Sequence, residues 1–194
     1  LIGPDGTQAP VFSWGGEALS SSVNGAYIFT DGAAGEFHAA GRGAGSGVIP
    51  PGSYLPNTSV GLVVSFAAVF GDRAGGGLWT LRFQDGLGLN AAGSITAATL
   101  TLGLVPGTAA VADAGTLGAI PDGPNTTQTP GPPRDVTFTV PGDAGVVRAV
   151  TVSIGITHTW VGDLVAQLIG HDRPAKPRTQ YHDMRHTLPS PASL

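Results

Sequence analysis

Val150-Thr151-Val152-Ser153-Ile154-Gly155-Ile156-Thr157-His158 alternates apolar with small or polar residues. A period of two puts Val150, Val152, Ile154, Ile156 and His158 on one face of a β-strand. The same alternation recurs elsewhere: Trp79, Leu81 and Phe83 share a face in 78–84, Val136, Phe138 and Val140 alternate with Thr137 and Thr139, and Leu100, Leu102 and Leu104 alternate with Thr101 and Gly103. Val60 to Phe70 is almost wholly apolar and reads as a strand buried on both faces or a short buried helix. No long helical period appears. The pattern predicts an all-β, mostly antiparallel, jelly-roll-like β-sandwich with little or no helix.

Composition agrees with many short strands joined by turns. The 194 residues include 31 Gly and 16 Pro, yet 41% are hydrophobic, enough for a core and against disorder throughout. Turn-rich connections fall at 31–35, 41–47, 50–57, 71–77 and 85–93. Gly41 to Gly47 lacks dinucleotide-loop spacing and reads as a flexible loop. A net charge of −4 with Lys176 as the single lysine argues against a nucleic-acid surface. The longest apolar stretch is too short to span a bilayer, which takes about 20 residues. No cysteine is present, so disulfide and thiol chemistry are excluded, although the compartment stays open. The chain begins at Leu without a visible signal segment and reads as a processed or excised piece. Residues 105–118 read as a small-residue linker, 121–135 as an extended, proline-rich arm, and 171–194 as a disordered tail, or a break in the coding frame after Gly170.

Beyond the opening strand the chain continues Thr159-Trp160-Val161-Gly162-Asp163-Leu164-Val165-Ala166-Gln167-Leu168-Ile169-Gly170, and it starts Leu1-Ile2-Gly3-Pro4-Asp5-Gly6-Thr7. Overlapped at Leu-Ile-Gly, the two ends form one pattern, in which a strand runs into a Pro-Asp-Gly turn. Joined in this way, the sequence resembles the P domain (P/Homo B domain) that follows the catalytic domain of subtilisin-like proprotein convertases and many secreted bacterial proteases. Ala119 to Asp122, Val136 to Val140 and Val146 to Gly170 resemble the opening of that domain, with His158 to Leu164 similar to its most recognisable segment. Phe29 to Ala33, Gly52 to Pro56, Gly77 to Asp85 and Gly93 to Leu102 resemble the remainder. The match covers 1–104 and 119–170 in permuted order: 1–104 corresponds to the C-terminal half and 119–170 to the N-terminal half, and the two are expected to complete one sandwich or to belong to successive repeats.

The residues of the motif favour a structural role. His158 falls in phase with the inward face, Gly162 permits a tight turn after Trp160, and Asp163 can accept hydrogen bonds from turn amides or from His158. A His–Asp pair could also start general-base chemistry. No nucleophile motif accompanies it, and Ser46 sits in no nucleophile elbow, so a buried corner built from His158, Thr159, Trp160, Gly162 and Asp163, with Trp79 in the core, is the better reading. Asp31, Asp85 and Asp163 are candidate oxygen ligands for Ca²⁺, although EF-hand spacing is absent. His171, His182 and His186 are read with the tail, Trp14 as a core or partner-contacting aromatic, and Asn57 and Asn125 as glycosylation sequons that count only in a eukaryotic secretory route.

The resemblance implies a secreted or cell-surface, non-catalytic accessory domain of a subtilisin-like serine protease, with that protease's catalytic domain as partner and a role in stabilising it or presenting substrate for proteolysis. The alternative is a binding or adhesion repeat of a large surface protein. A free-standing enzyme has no candidate residues.

Overall fold

A computed structural model describes residues 7–13, 21–58, 61–86, 93–105, 109–113, 117–124, 129–141 and 145–170. In chain order the elements are β1 (Gln8–Ser13), β2 (Ser22–Thr30), β3 (Gly35–Glu36), α1 (Phe37–Ala44), β4 (Val48–Ile49), β5 (Gly52–Leu55), α2 (Phe66–Phe70), β6 (Gly77–Asp85), β7 (Gly93–Val105), β8 (Ala109–Asp113), β9 (Gly118–Ile120), β10 (Arg134–Val140), β11 (Val146–His158) and β12 (Leu164–Ile169). The chain is an all-β sandwich. One sheet has the order β1-β12-β6-β10; the other runs β3-β5-β2-β11-β7-β8, with β4 also on β2 and β9 also on β7. Among the described residues, parallel pairing is limited to β4 and β5 on β2 and β3 on β5.

Period-two burial carries this architecture. On β11, Val150, Val152, Ile154, Ile156 and His158 are all buried, as the opening stretch predicts. On β6 the inward face is Trp79, Leu81, Phe83 and, two residues further, Asp85. Leu164, Ala166 and Leu168 of β12 complete the facing layer. An aromatic group of Phe12, Tyr27, Phe29, Phe37 and Tyr54 fills one region of the core, with ring centroids as close as 4.9 Å for Phe12 and Phe37. Trp79 lies edge-on to Phe70 at 5.1 Å and donates its indole N–H to Gly75 O at 2.9 Å.

Several local readings change. Residues 41–44 of the stretch read as a loop belong to helix α1, whose glycines are poor helix formers. Burial of Phe37, His38 and Gly41 on one face holds the helix. Of the apolar run 60–70, Phe66–Phe70 is the short helix α2. Within the expected linker 105–118, residues 109–113 pair antiparallel with β7, and 118–120, which start at the linker's last residue, do so as well. The proline-rich arm is anchored as well: Gly131 is buried and its N–H donates to Asp85 O at 2.8 Å.

Every sheet neighbour of β10, β11 and β12 comes from residues 8–105. β10 lies beside β6, β11 between β2 and β7, and β12 between β1 and β6. The bond from Gly170 N–H to Thr7 O, 2.9 Å, extends the β12–β1 ladder just past the Ile169–Gln8 pair. The Pro4-Asp5-Gly6 turn and the tail 171–194 lie outside the described residues, as do Trp14 and Asn125.

Candidate functional site

β11 belongs to one sheet and β12 to the other, so the chain changes sheets between His158 and Leu164. The crossing is Thr159, exposed, and Trp160, half-buried, followed by a single 3₁₀ turn, Val161–Asp163. Gly162 is buried inside that turn. Val161 N–H donates to Ser21 O at 2.9 Å, which fixes the turn against the start of β2.

The alternation of β11 drives His158 inward from one sheet, and that of β6 drives Asp85 inward from the other. They meet across the sandwich, His158 Nε2 to Asp85 Oδ2 at 3.2 Å, with no side-chain exposure on either residue. The tautomer follows from the other nitrogen. Trp160 N–H donates to His158 Nδ1 at 3.2 Å, so Nδ1 is the acceptor and the proton sits on Nε2, which donates to Asp85. Gly93 of β7 lies directly against the ring; a Cβ there would come within 2.1 Å of His158 Cδ2.

Asp163 completes the group. Ligand atoms of Asp85, His158 and Asp163 lie within 4.8 Å of one another, and all three residues are buried. The sequence suggested His158 as a partner for Asp163, but His158 bonds Asp85 instead, and neither Asp163 carboxylate oxygen has a hydrogen-bond partner. Burial pushes the Asp163 carboxyl up to about 7. The Asp85 carboxylate adds to the rise, the imidazole of His158 opposes it, and Asp163's own N–H eases the charge without meeting hydrogen-bond geometry. Asp122, on the proline-rich arm, also raises Asp163, and its own Oδ1 is buried without a partner.

Unpaired carboxylate oxygens in a buried site cost several kcal/mol unless a proton or a cation compensates. The donor chemistry selects the class of cation. A ligating imidazole would need its second nitrogen protonated and facing an acceptor, whereas His158 Nδ1 faces an N–H donor. The imidazole therefore orients Asp85, and the ligands on offer within this group are the carboxylates of Asp85 and Asp163, oxygen donors suited to a hard ion such as Ca²⁺.

Asp31 is not in this group. Its carboxylate accepts from Phe66 N–H and Ala67 N–H at 2.8 Å each and from Ser65 Oγ at 2.9 Å, at the start of α2. The sequence reading did not include Asp122, because nothing in its spacing shows where the arm passes. Asn57 is buried with its side-chain amide on Thr58 O, which makes it a poor glycan acceptor in the folded chain. His171, His182 and His186 lie outside the described residues. No helix among the described residues is long and apolar enough to cross a membrane, which says nothing of a crossing made by strands. No protein-family model, curated protein or solved structure matches the chain.

Proposed function

We propose that this chain is a jelly-roll-like, P-like accessory module of an exported subtilisin-like serine protease, non-catalytic itself and stabilised by Ca²⁺ held at Asp85 and Asp163. One observation carries the reading: β12 and β1 are hydrogen-bonded antiparallel neighbours that reach Gly170 and Thr7 together. Joining the ends makes β12 and β1 consecutive, and their antiparallel pairing supports reading them as the two arms of a P-like strand–turn–strand.

The corner supports a structural role over a chemical one. A Ser–His–Asp relay uses one imidazole nitrogen for the carboxylate and the other for the nucleophile. In this chain Asp85 and Trp160 N–H occupy both nitrogens of His158. Bound Ca²⁺ would neutralise carboxylates from two parts of the chain, β6 and the 3₁₀ turn, and so tie them together. Such a module offers a preformed, rigid surface for a neighbouring catalytic domain.

The test begins with the coding sequence around this segment and ends at the bench. A subtilisin-type catalytic domain in the same reading frame, losing activity faster on heating when residues 1–170 are deleted, is the expected result. A frame that leads only into further β-rich repeats, with no protease, would replace this reading by the adhesion module. Calcium is tested separately on the isolated chain: at a hundredfold excess over Kd it should add about 2.7 kcal/mol of stability, and Asp163→Asn should abolish the gain.

A further inference from the structure

We propose that this chain assembles with a second copy of itself by exchanging residues 134–170, so that β10, β11 and β12 of each copy complete the sandwich of the other. The inference rests on strand topology and is independent of any protease partnership.

Three observations carry it. First, among the described residues β10, β11 and β12 pair with no strand of their own group; their sheet partners are all strands within residues 8–105. Second, the acceptor strands depend on them. Among the described residues β1 pairs only with β12, β6 only with β12 and β10, and β2 is joined to β7 only through β11. Without 134–170 one sheet is two separate strands and the other is split in the middle, each presenting unpaired strand edges and apolar faces that a matching strand can fill. Third, the connection allows the exchange. Residues 121–133 contain no helix or strand among their described residues and carry Pro121, Pro124, Pro130, Pro132 and Pro133. In the closed chain the arm turns back, with Gly131 packed on Pro121 and Asp122; prolines favour its extended form, and with Gly131 seated on the other copy the segment from Asp122 to Gly131 reaches about 30 Å, enough to join two copies that face each other at this corner.

The same contacts then form between copies as within one. Gly131 N–H meets Asp85 O of the other copy, and His158 Nε2 meets its Asp85. Reciprocal exchange closes into a two-fold dimer, while one-way exchange continues into a linear chain of modules.

The absence of cysteine from the whole sequence gives a clean test. Val165 and Gln84 are directly paired across β12 and β6. Two full-length variants, Gln84→Cys and Val165→Cys, are unfolded together, refolded as a concentrated mixture and oxidised. Exchange predicts a disulfide-linked heterodimer of twice the 19.4 kDa chain mass, and none when the two are folded separately before mixing. Equal yields of that species in both samples, or monomer alone, would overturn the proposal. Should the variants refold poorly, the unaltered chain decides: after refolding at rising concentration, a dimer that grows with concentration and survives dilution is expected, and monomer throughout would overturn the exchange.

Discussion

Asp163 carries an unusual load for a single residue: both carboxylate oxygens are buried without a hydrogen bond, and burial raises its carboxyl from 3.8 to about 7. In metal-free protein the folded chain therefore keeps a proton that the unfolded chain gives up above pH 3.8. The sign follows directly. This contribution to stability is complete below about pH 4 and is lost as the pH rises towards 7 and above, by at most on the order of 4 kcal/mol. Denaturant melts in chelator between pH 4 and 8 should show stability falling with pH, and Asp163→Asn should flatten that slope. Saturating Ca²⁺ should remove it too, because a bound cation favours the ionised carboxylate. A second residue-scale prediction concerns Gly93. A methyl at that position meets His158 Cδ2 at 2.1 Å, so Gly93→Ala should cost about 2 kcal/mol by overpacking and much less in a His158→Ala background, a coupling that a double-mutant cycle measures. The corner was only partly legible in the sequence. His158 is inward by simple alternation, and the face of Trp79, Leu81 and Phe83, carried two residues on, turns Asp85 inward as well. That the two meet depends on how the sheets stack, and Asp122 arrives by the path of an arm with no periodicity to read.

Elements show the same division between local pattern and tertiary context. β6, β10, β11 and the second half of β7 were readable because each is buried on a period of two, whereas the alternation of β2 is broken at Gly25 and Ala26. The two helices were harder: α1 contains two glycines and is held by Phe37 in the aromatic group, and α2 is one turn long. A helix that short has little stability of its own, so its N-terminal amides need partners from outside. Ser65 accepts from Ala68 N–H, and Asp31, distant in sequence, accepts from Phe66 and Ala67 N–H. The carboxylate of Asp31 is thus a cap, favoured further by the positive end of the helix. Asp31→Ala is expected to lower stability by about 1–2 kcal/mol while leaving the calcium-induced rise in Tm intact. Asp163→Asn should do the reverse to that rise. Thermal melts of both variants with and without Ca²⁺ separate the two roles, and loss of the calcium response in Asp31→Ala would show that Asp31 contributes to the ion site.

At the scale of the whole molecule, the order of segments in the chain and the order of strands in the sheets are different things. Strands β11 and β12 come last in sequence but occupy interior positions, one in each sheet, with β10 at an edge, while β1 and β12, from opposite ends, lie side by side. Contacts of such high sequence separation form slowly, because loop closure precedes any reward. Rewiring the chain should change this without altering the sandwich. A variant that runs from Asp122 to Gly170 and continues directly with Pro4 to Ile120 replaces the long-range β12–β1 pairing by a hairpin whose Pro-Asp-Gly connection is a strong turn sequence, and places the new ends in the arm. It should fold to the same β-rich structure by circular dichroism, refold faster than the original order, and remain monomeric at concentrations where the original exchanges, since a short hairpin loop now ties the two groups of strands together. A rewired chain that failed to fold cooperatively would mean that the Gly170–Thr7 bond marks mere proximity of two ends rather than one interrupted hairpin; a rewired chain that still formed exchanged dimers would place the hinge somewhere other than residues 121–133.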